Sequence, residues 1–301
     1  MIVANGLTKK FNAFTALDRL NCTIPSSCIY GLVGSNGAGK STLLRLMSGI
    51  YRPDGGNVTL DDKTIFENPE LKSRIVFVPD ELYFLPQSSM NRMKALYKAA
   101  YPTFDEVRFA ELTKDFSLDP SANIATFSKG MKRQAAIILA LSSKTDYLFM
   151  DETFDGLDPI MRARVKRLLY NDVAERGLTA VISSHSLREL EDTCDQLALL
   201  HKGGLVLESD VGNLKTSLFK VQIAFRESYD RSLFSDFDLL SFEKHGSVSN
   251  FIVRGDKEAV SLALSAKNPL LLEILPLTLE EVFLYELEAL GYKIEEGEEI
   301  K

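Results

Sequence analysis

Hydrophobic positions along the chain change period several times, and each change predicts an element. From Ile2 to Ile24, short apolar segments alternate with polar turns at Gly6, Asn12 and Asn21, the pattern of antiparallel strands. Ile29-Tyr30-Gly31-Leu32-Val33 is a continuous apolar run, a buried strand, and Ser41 to Met47 takes helical spacing before Gly49 ends it. Pro53-Asp54-Gly55-Gly56 is a turn, Asn57 to Leu60 a strand, and Ile75-Val76-Phe77-Val78 another buried strand stopped by Pro79. Then Met90, Met93, Leu96 and Tyr97, followed by Phe109, Leu112 and Phe116, recur at helical spacing. Together with a helix opened by Ser128 and running to about Ser142, they predict a helical insertion over about residues 87–142. Beyond it come a strand at Asp146 to Met150, an amphipathic helix from about Ile160 to Arg176, a strand at Leu178 to Ser183 and a helix around Leu187 to Cys194. Leu197 to Leu200 and Leu205 to Leu207, joined through Lys202-Gly203-Gly204, read as a β-hairpin.

Past about Gly212 the pattern shifts to that of a small α+β appendage. Phe219 to Phe225 and Phe251 to Val253 alternate as strands, His245-Gly246-Ser247 is a hairpin turn, and Asp256 caps a helix to about Lys267. Thr278-Leu279-Glu280-Glu281 is a capping box opening a helix with Leu279, Val282, Phe283, Leu287 and Leu290 on one face, closed by Gly291. The acidic tail from Glu295 to Lys301 is expected to fray.

Composition narrows the class. With 301 residues, 45% of them hydrophobic, the chain has the means for one large α/β domain plus a smaller one. Its 35 basic residues against 42 acidic give a net charge of −7, so no nucleic-acid partner is expected. Cys22, Cys28 and Cys194 show neither metal-ligand spacing nor a disulfide framework, which fits a reducing compartment. No signal-peptide pattern and no run of about 20 apolar residues is visible, so a cytoplasmic chain is expected.

The chemistry concentrates at four places. Gly34-Ser35-Asn36-Gly37-Ala38-Gly39-Lys40-Ser41, set between a strand and a helix, is a complete P-loop pattern. Its glycines let backbone N–H groups close around phosphate oxygens, Lys40 adds a cation, Ser41 offers a hydroxyl to Mg2+, and the helix beginning Ser41-Thr42 points its positive end at the anion. The bland alternative, a glycine-rich turn, does not account for the whole pattern. Thr126-Phe127-Ser128-Lys129-Gly130-Met131 opens a helix with a serine cap and a glycine. Alone, this is an ordinary helix start. Asp151 and Glu152 end an apolar strand, where one carboxylate can hold a metal's water shell and the other orient or deprotonate a water. His185 ends the next strand; a lone histidine is more often structural than catalytic, but the strand terminus favours the crevice of a parallel sheet. Phe11, ahead of the P-loop, is either a core residue or an aromatic for a nucleotide base.

In this order, the P-loop, Phe127-Ser128-Lys129-Gly130-Met131, Asp151-Glu152, Gly156-Leu157-Asp158 and His185 resemble the ATP-binding subunit of an ABC transporter over roughly residues 1–210. The second stretch is similar to that family's signature motif, and Lys129 with Met131 resembles the ABC-2 export branch, as does Pro276 to Phe283. The resemblance implies a P-loop NTPase core at 1–212, with antiparallel lead-in strands and a mainly parallel sheet, and an accessory domain at 213–301. It implies ATP and Mg2+ as ligands and a head-to-tail homodimer or heterodimer in which Ser128 and Gly130 of one subunit cap the γ-phosphate held by Lys40 of the other. Phe11 then matches the adenine-stacking aromatic, Glu152 the residue polarising the attacking water, Asp158 the cross-dimer contact, and His185 the γ-phosphate switch. Asp151 and Ser41 serve the metal. The partner implied is a separate transmembrane permease facing the helical insertion, with this subunit peripheral on the inner face of the cell membrane. Substrate choice would lie with the permease. Three departures stand out: Asp80 where the family usually has Gln, expected here to act as an outer-sphere Mg2+ partner; Thr153 in place of the common proline, expected to be tolerated in a turn; and Lys129 in place of a second glycine. A soluble ABC ATPase acting on ribosomes or DNA is the alternative, though paired ATPase units and a long coiled coil are both missing. A small-molecule kinase would leave Ser128, Gly130 and His185 without roles.

Overall fold

The structure, a computed structural model, describes residues 1–212 and 218–289. Leu290, Gly291 and the segment from Glu295 to Lys301, for which a helix end and fraying are expected, lie outside the described residues. The described chain falls into two compact units, Met1–Glu208 and the part from Ser209 onward.

In the first unit, the alternating start forms β1 (Ile2–Phe11) and β2 (Phe14–Ile24), paired antiparallel from Ile2↔Ile24 to Phe11↔Phe14. β4 (Gly55–Leu60) pairs with the other side of β1 and continues into the short β5 (Lys63–Thr64). The continuous apolar run, β3 (Ile29–Val33), joins a different sheet with β6 (Ile75–Val78), β7 (Tyr147–Asp151), β8 (Thr179–Ser184), β9 (Gln196–His201) and β10 (Gly204–Asp210). The strand order there is β10-β9-β3-β8-β7-β6, and the pairs from β9 to β6 are parallel. Every residue of β3, β7 and β8 is buried, which is why these strands carry continuous apolar stretches (29–33, 147–150 and 180–182) rather than an alternation, with their polar residues at the strand ends. α1 (Lys40–Met47) contacts both sheets: Leu43, Leu44, Leu46 and Met47 share one core with Ile2, Leu17 and Leu60 of the first and Tyr30, Leu32, Phe149 and Val181 of the second. A short α2 (Pro69–Lys72), capped by Asn68, precedes β6.

The predicted insertion is α3 (Met90–Ala100), α4 (Glu106–Asp115) and α5 (Lys129–Ser142), each with a side-chain cap: Ser89, Asp105 and Ser128. α5 packs on α3, α4 and β6. α6 (Pro159–Arg176) runs from a cap at Asp158 to Gly177, whose φ of 68° closes it. Asp172 on α6, 1% exposed, binds Arg108 of α4 at 2.7 Å and Arg176 at 3.0 Å, so removing its charge would strand two guanidinium groups at a cost of about 3–5 kcal/mol. α7 (Leu187–Glu191) stops sooner than the expected Cys194, because Asp195 turns the chain into β9 by exchanging hydrogen bonds with the backbone of Ile29.

In the second unit, β11 (Leu218–Ala224), β12 (Asp238–His245), β13 (Val248–Arg254) and β14 (Leu271–Pro276) form an antiparallel sheet in the order β12-β13-β11-β14. α8 (Lys257–Ser265), capped by Asp256, precedes β14. With a 3-10 turn at Arg231–Phe234 standing where the first helix would be, the connectivity is that of a split β-α-β-β-α-β unit. Phe219, Phe234 and Phe251 centre its core, and Val260 and Leu264 of α8 complete it. α9 (Leu279–Ala289) opens with the predicted capping box, Glu281 accepting from Thr278 N at 2.8 Å and Thr278 from Glu281 N at 3.3 Å.

Candidate active site

Three neighbouring parallel strands, β3, β8 and β7, end side by side, with Val33 opposite Ser184 and Ser183 opposite Asp151. The register therefore brings the P-loop, His185 and Asp151-Glu152 to one edge of the sheet. Two glycines fit the loop there. Gly34 has φ of 156°, and a Cβ would sit 2.3 Å from the carbonyl oxygen of Leu200; Gly39 has φ of 109°, and its Cβ would meet Ala16 O at 2.8 Å. Gly39 is also the N-cap of α1, with no side-chain cap, so the first-turn N–H groups around Lys40, Ser41 and Thr42 are oriented for an anion. Ala38, 2% exposed, donates its N–H to Ser35 O, while Asn36 and Gly37 form the outer rim of the loop.

Lys40 is 5% exposed. Its ammonium donates to Gly34 O at 2.6 Å and lies 3.3 Å from Glu152 Oε1. Glu152 is held on its other oxygen by His185, whose Nδ1 is 2.9 Å and whose backbone N is 3.3 Å from Oε2. The backbone of Glu152 is left-handed, φ 46°, and its N–H is fixed by the carbonyl and hydroxyl oxygens of Ser183 at 3.2 and 3.1 Å. Asp151 beside it is fully buried; Oδ1 accepts from Ser183 Oγ at 2.6 Å and Ser41 Oγ at 3.0 Å, and Oδ2 has no partner. Thr153, in the place where proline was the family expectation, is buried and donates its hydroxyl to Asp151 O at 3.3 Å.

Other expected residues stand apart from this group: among the described residues no hydrogen bond or ion pair joins them to it. Ser128 accepts from Met131 N at 3.2 Å, Gly130 lies close to Gly156, and Asp158 accepts from Ile160 N and Met161 N at 3.0 Å. Phe11, 41% exposed, meets Tyr51 edge-on with ring centroids 5.6 Å apart. Asp80 Oδ1 accepts from Arg133 Nη2 at 2.9 Å. Ser183, Asp155 (Oδ2 4.0 Å from His185 Nδ1) and Arg133 were not singled out by sequence, since nothing local marks a strand serine, a turn aspartate or a helix arginine. Burial pushes the Cys22 thiol up to about 12 and Cys28 up to about 11, so both keep their protons near neutral pH, and all three thiols are buried.

A P-loop, a strand-end Asp on the P-loop serine, and an adjacent Glu clasped by lysine and histidine define a nucleoside-triphosphatase on a parallel α/β sheet. The profile of the ABC transporter family matches residues 17–155. The chain is 28% identical over 284 residues, 94% of its length and 97% of the relative's, to the ABC transporter ATP-binding protein YtrB of Bacillus subtilis (strain 168). It is 30% identical to the daunorubicin/doxorubicin resistance ATP-binding protein DrrA of Streptomyces peucetius, covering 72% of this chain and 67% of that one. In fold it is similar to a dimeric ATP-binding cassette solved in a post-hydrolysis state with ADP and Pi, with a TM-score of 0.63 and 22% identity over 70% of this chain and 99% of the other. The chain belongs to the family of ABC transporter ATP-binding proteins, and its enzyme class is ATP hydrolase. No helix among the described residues is long and apolar enough to cross a membrane.

Proposed function

We propose that the chain hydrolyses ATP to power export through a separate permease, as one half of a dimer that closes over two nucleotides. The observation that carries the hydrolytic part is Glu152, a carboxylate aimed by Lys40 on one oxygen and His185 on the other. In this reading Gly34 to Ser41, with Thr42, cradle the phosphates, and the incoming anion competes with Glu152 for Lys40. Glu152 then accepts a proton from water as the water oxygen bonds to the γ-phosphorus and the bond to the ADP oxygen breaks. His185 senses the γ-phosphate, and Phe11 offers its exposed ring to the base. Ser128, Gly130 and Asp158, which contact none of these groups within the chain, act on the nucleotide of the opposite subunit.

The residues fit a divalent cation of the Mg2+ type. Asp151 presents a buried unpartnered oxygen next to the Ser41 hydroxyl, an oxygen donor set for a hard ion. Such an ion, when bound, neutralises charge on the phosphates. The export reading leans on the likeness to the drug-resistance relative DrrA and the bacitracin transport relative BcrA. The working location would be the inner face of the cell membrane, held by the permease.

Glu152→Gln tests this. The variant should bind ATP with near-parental affinity, hydrolyse it about 10²–10⁴-fold more slowly and accumulate as an ATP-dependent dimer. Hydrolysis within a few-fold of the parent would remove Glu152 from the role of base. Co-purification of a multi-helix membrane protein with the tagged chain tests the transporter assignment; recovery with ribosomes or DNA-processing proteins alone would overturn it.

A further inference from the structure

Arg133 lies five residues beyond Ser128 on α5 and is 2% exposed, and its guanidinium makes three hydrogen bonds to one short loop. Nη1 donates to the carbonyls of Pro79 at 3.1 Å and Asp80 at 2.9 Å, and Nη2 donates to the Asp80 carboxylate at 2.9 Å. That loop is the exit of β6, whose last residue, Val78, pairs with Met150, one residue before Asp151. A single guanidinium thus ties α5 to the sheet edge that carries the catalytic carboxylates. The half of the pair contributed by Asp80 is accessible, its side chain 53% exposed, at a cleft of about 400 Å³ lined by Asp80, Glu81, Leu82, Lys129, Lys132 and Arg133.

Ahead of its cap the chain is anchored by Phe127, 6% exposed, but the first turn of α5 itself is not held by burial. From Ser128 to Lys132 no residue is buried, and continuous burial begins only at Ala135. Arg133 is the first buried anchor of the helix. At a rise of 1.5 Å per residue, Ser128 lies about 7 Å along the axis from it, so a tilt of about 10° at Arg133 moves Ser128 by roughly 1 Å. A hydrogen bond to a phosphate tolerates only about half an ångström of spread, and a misplacement of about 1 Å can cost a hundredfold in rate.

We propose that Arg133 and Asp80 form a positioning pair that sets the angle of α5, and through it the place of Ser128 and Gly130 against the nucleotide of the opposing subunit. This rests on the cross-capped dimer proposed above. Asp80 at this place serves the helix rather than the metal.

The full-length chain carries the test, as D80N and R133K singly and together, each also in the Glu152→Gln background. ATP affinity of the monomer, by calorimetric titration of Mg-ATP into dilute protein, should stay within about twofold of the parent, because neither residue touches the P-loop. ATP-driven dimerisation of the Glu152→Gln forms and kcat of the others should fall about tenfold, and the double variant should be no worse than the worse single one. D80N, altering a half-exposed side chain, keeps the test valid should R133K fold poorly, and thermal unfolding monitors this. Unchanged dimerisation and kcat in D80N, or full additivity of the two substitutions, would overturn the pair. Failure of Glu152→Gln alone to dimerise with ATP would instead strike down the cross-capped dimer, and this assignment with it.

Discussion

Replacing Ser183 by alanine isolates the support of the buried aspartate. Ser183 is 1% exposed, its hydroxyl donates to Asp151 Oδ1 at 2.6 Å, and it accepts from Glu152 N at 3.1 Å. The second bond has a substitute, since Glu152 N also reaches Ser183 O at 3.2 Å, so the loss falls on the first. A hydroxyl donating to a buried carboxylate contributes about 1.5–3 kcal/mol. Asp151 would keep only Ser41 as a side-chain donor. Taking about 2 kcal/mol and about 2–4 °C per kcal/mol for a unit of this size, Ser183→Ala should lower the unfolding midpoint by about 4–8 °C. The assay is thermal unfolding for the midpoint and urea unfolding for the free energy, on the parent, Ser183→Ala, Asp151→Asn and the double variant. In the Asp151→Asn background, where the serine's bond is to a neutral amide, the serine deletion should cost only about 1 kcal/mol, leaving a coupling of about 1 kcal/mol. A loss under about 0.5 kcal/mol, or strict additivity, would show that the hydroxyl does not support the charge.

Gly34→Ala places a Cβ 2.3 Å from Leu200 O at a φ of 156°, and should cost about 3 kcal/mol and at least tenfold in ATP affinity; nucleotide titration at parental affinity would contradict the close packing of the loop. Cys22, its thiol raised to about 12 by burial, keeps its proton when folded, whereas the unfolded chain releases it from about pH 9. Stability should therefore be fully present below pH 9 and decline towards pH 12, by up to about 1.4 kcal/mol per pH unit from this group, and Cys22→Ala should flatten that slope in alkaline urea titrations. Equal slopes for parent and variant would refute it.

Much of the first unit is legible because its signals are local. The P-loop glycines, the caps at Ser128 and Asp158, and the apolar runs of β3, β7 and β8 each state their conformation within a few residues. What escapes local reading is partnership across the chain. Nothing near Asp80 in the sequence points to Arg133, more than fifty positions away, which holds its carboxylate. Ser183 is an ordinary strand residue until register sets it opposite Asp151. In the second unit β12 and β14 carry no clear alternation: a bulge between Leu239 and Ser241 interrupts β12, and β14 is a half-exposed edge strand. Hydrophobic period reports burial, and where burial is partial the period fades.

The place of β3 in its sheet also dictates an order of events during synthesis. Its two neighbours, β8 and β9, follow about 150 residues later, so the strand that leads into the P-loop is made early and has no pairing partner in that sheet until most of the unit exists. At a translation speed of about 5–20 residues per second the delay is on the order of ten seconds. Throughout that interval a wholly apolar strand has both edges open, a natural target for chaperones and the point at which a stalled chain is most prone to aggregate. The P-loop, Asp151-Glu152 and His185 share one sheet edge only once β8 lies between β7 and β3.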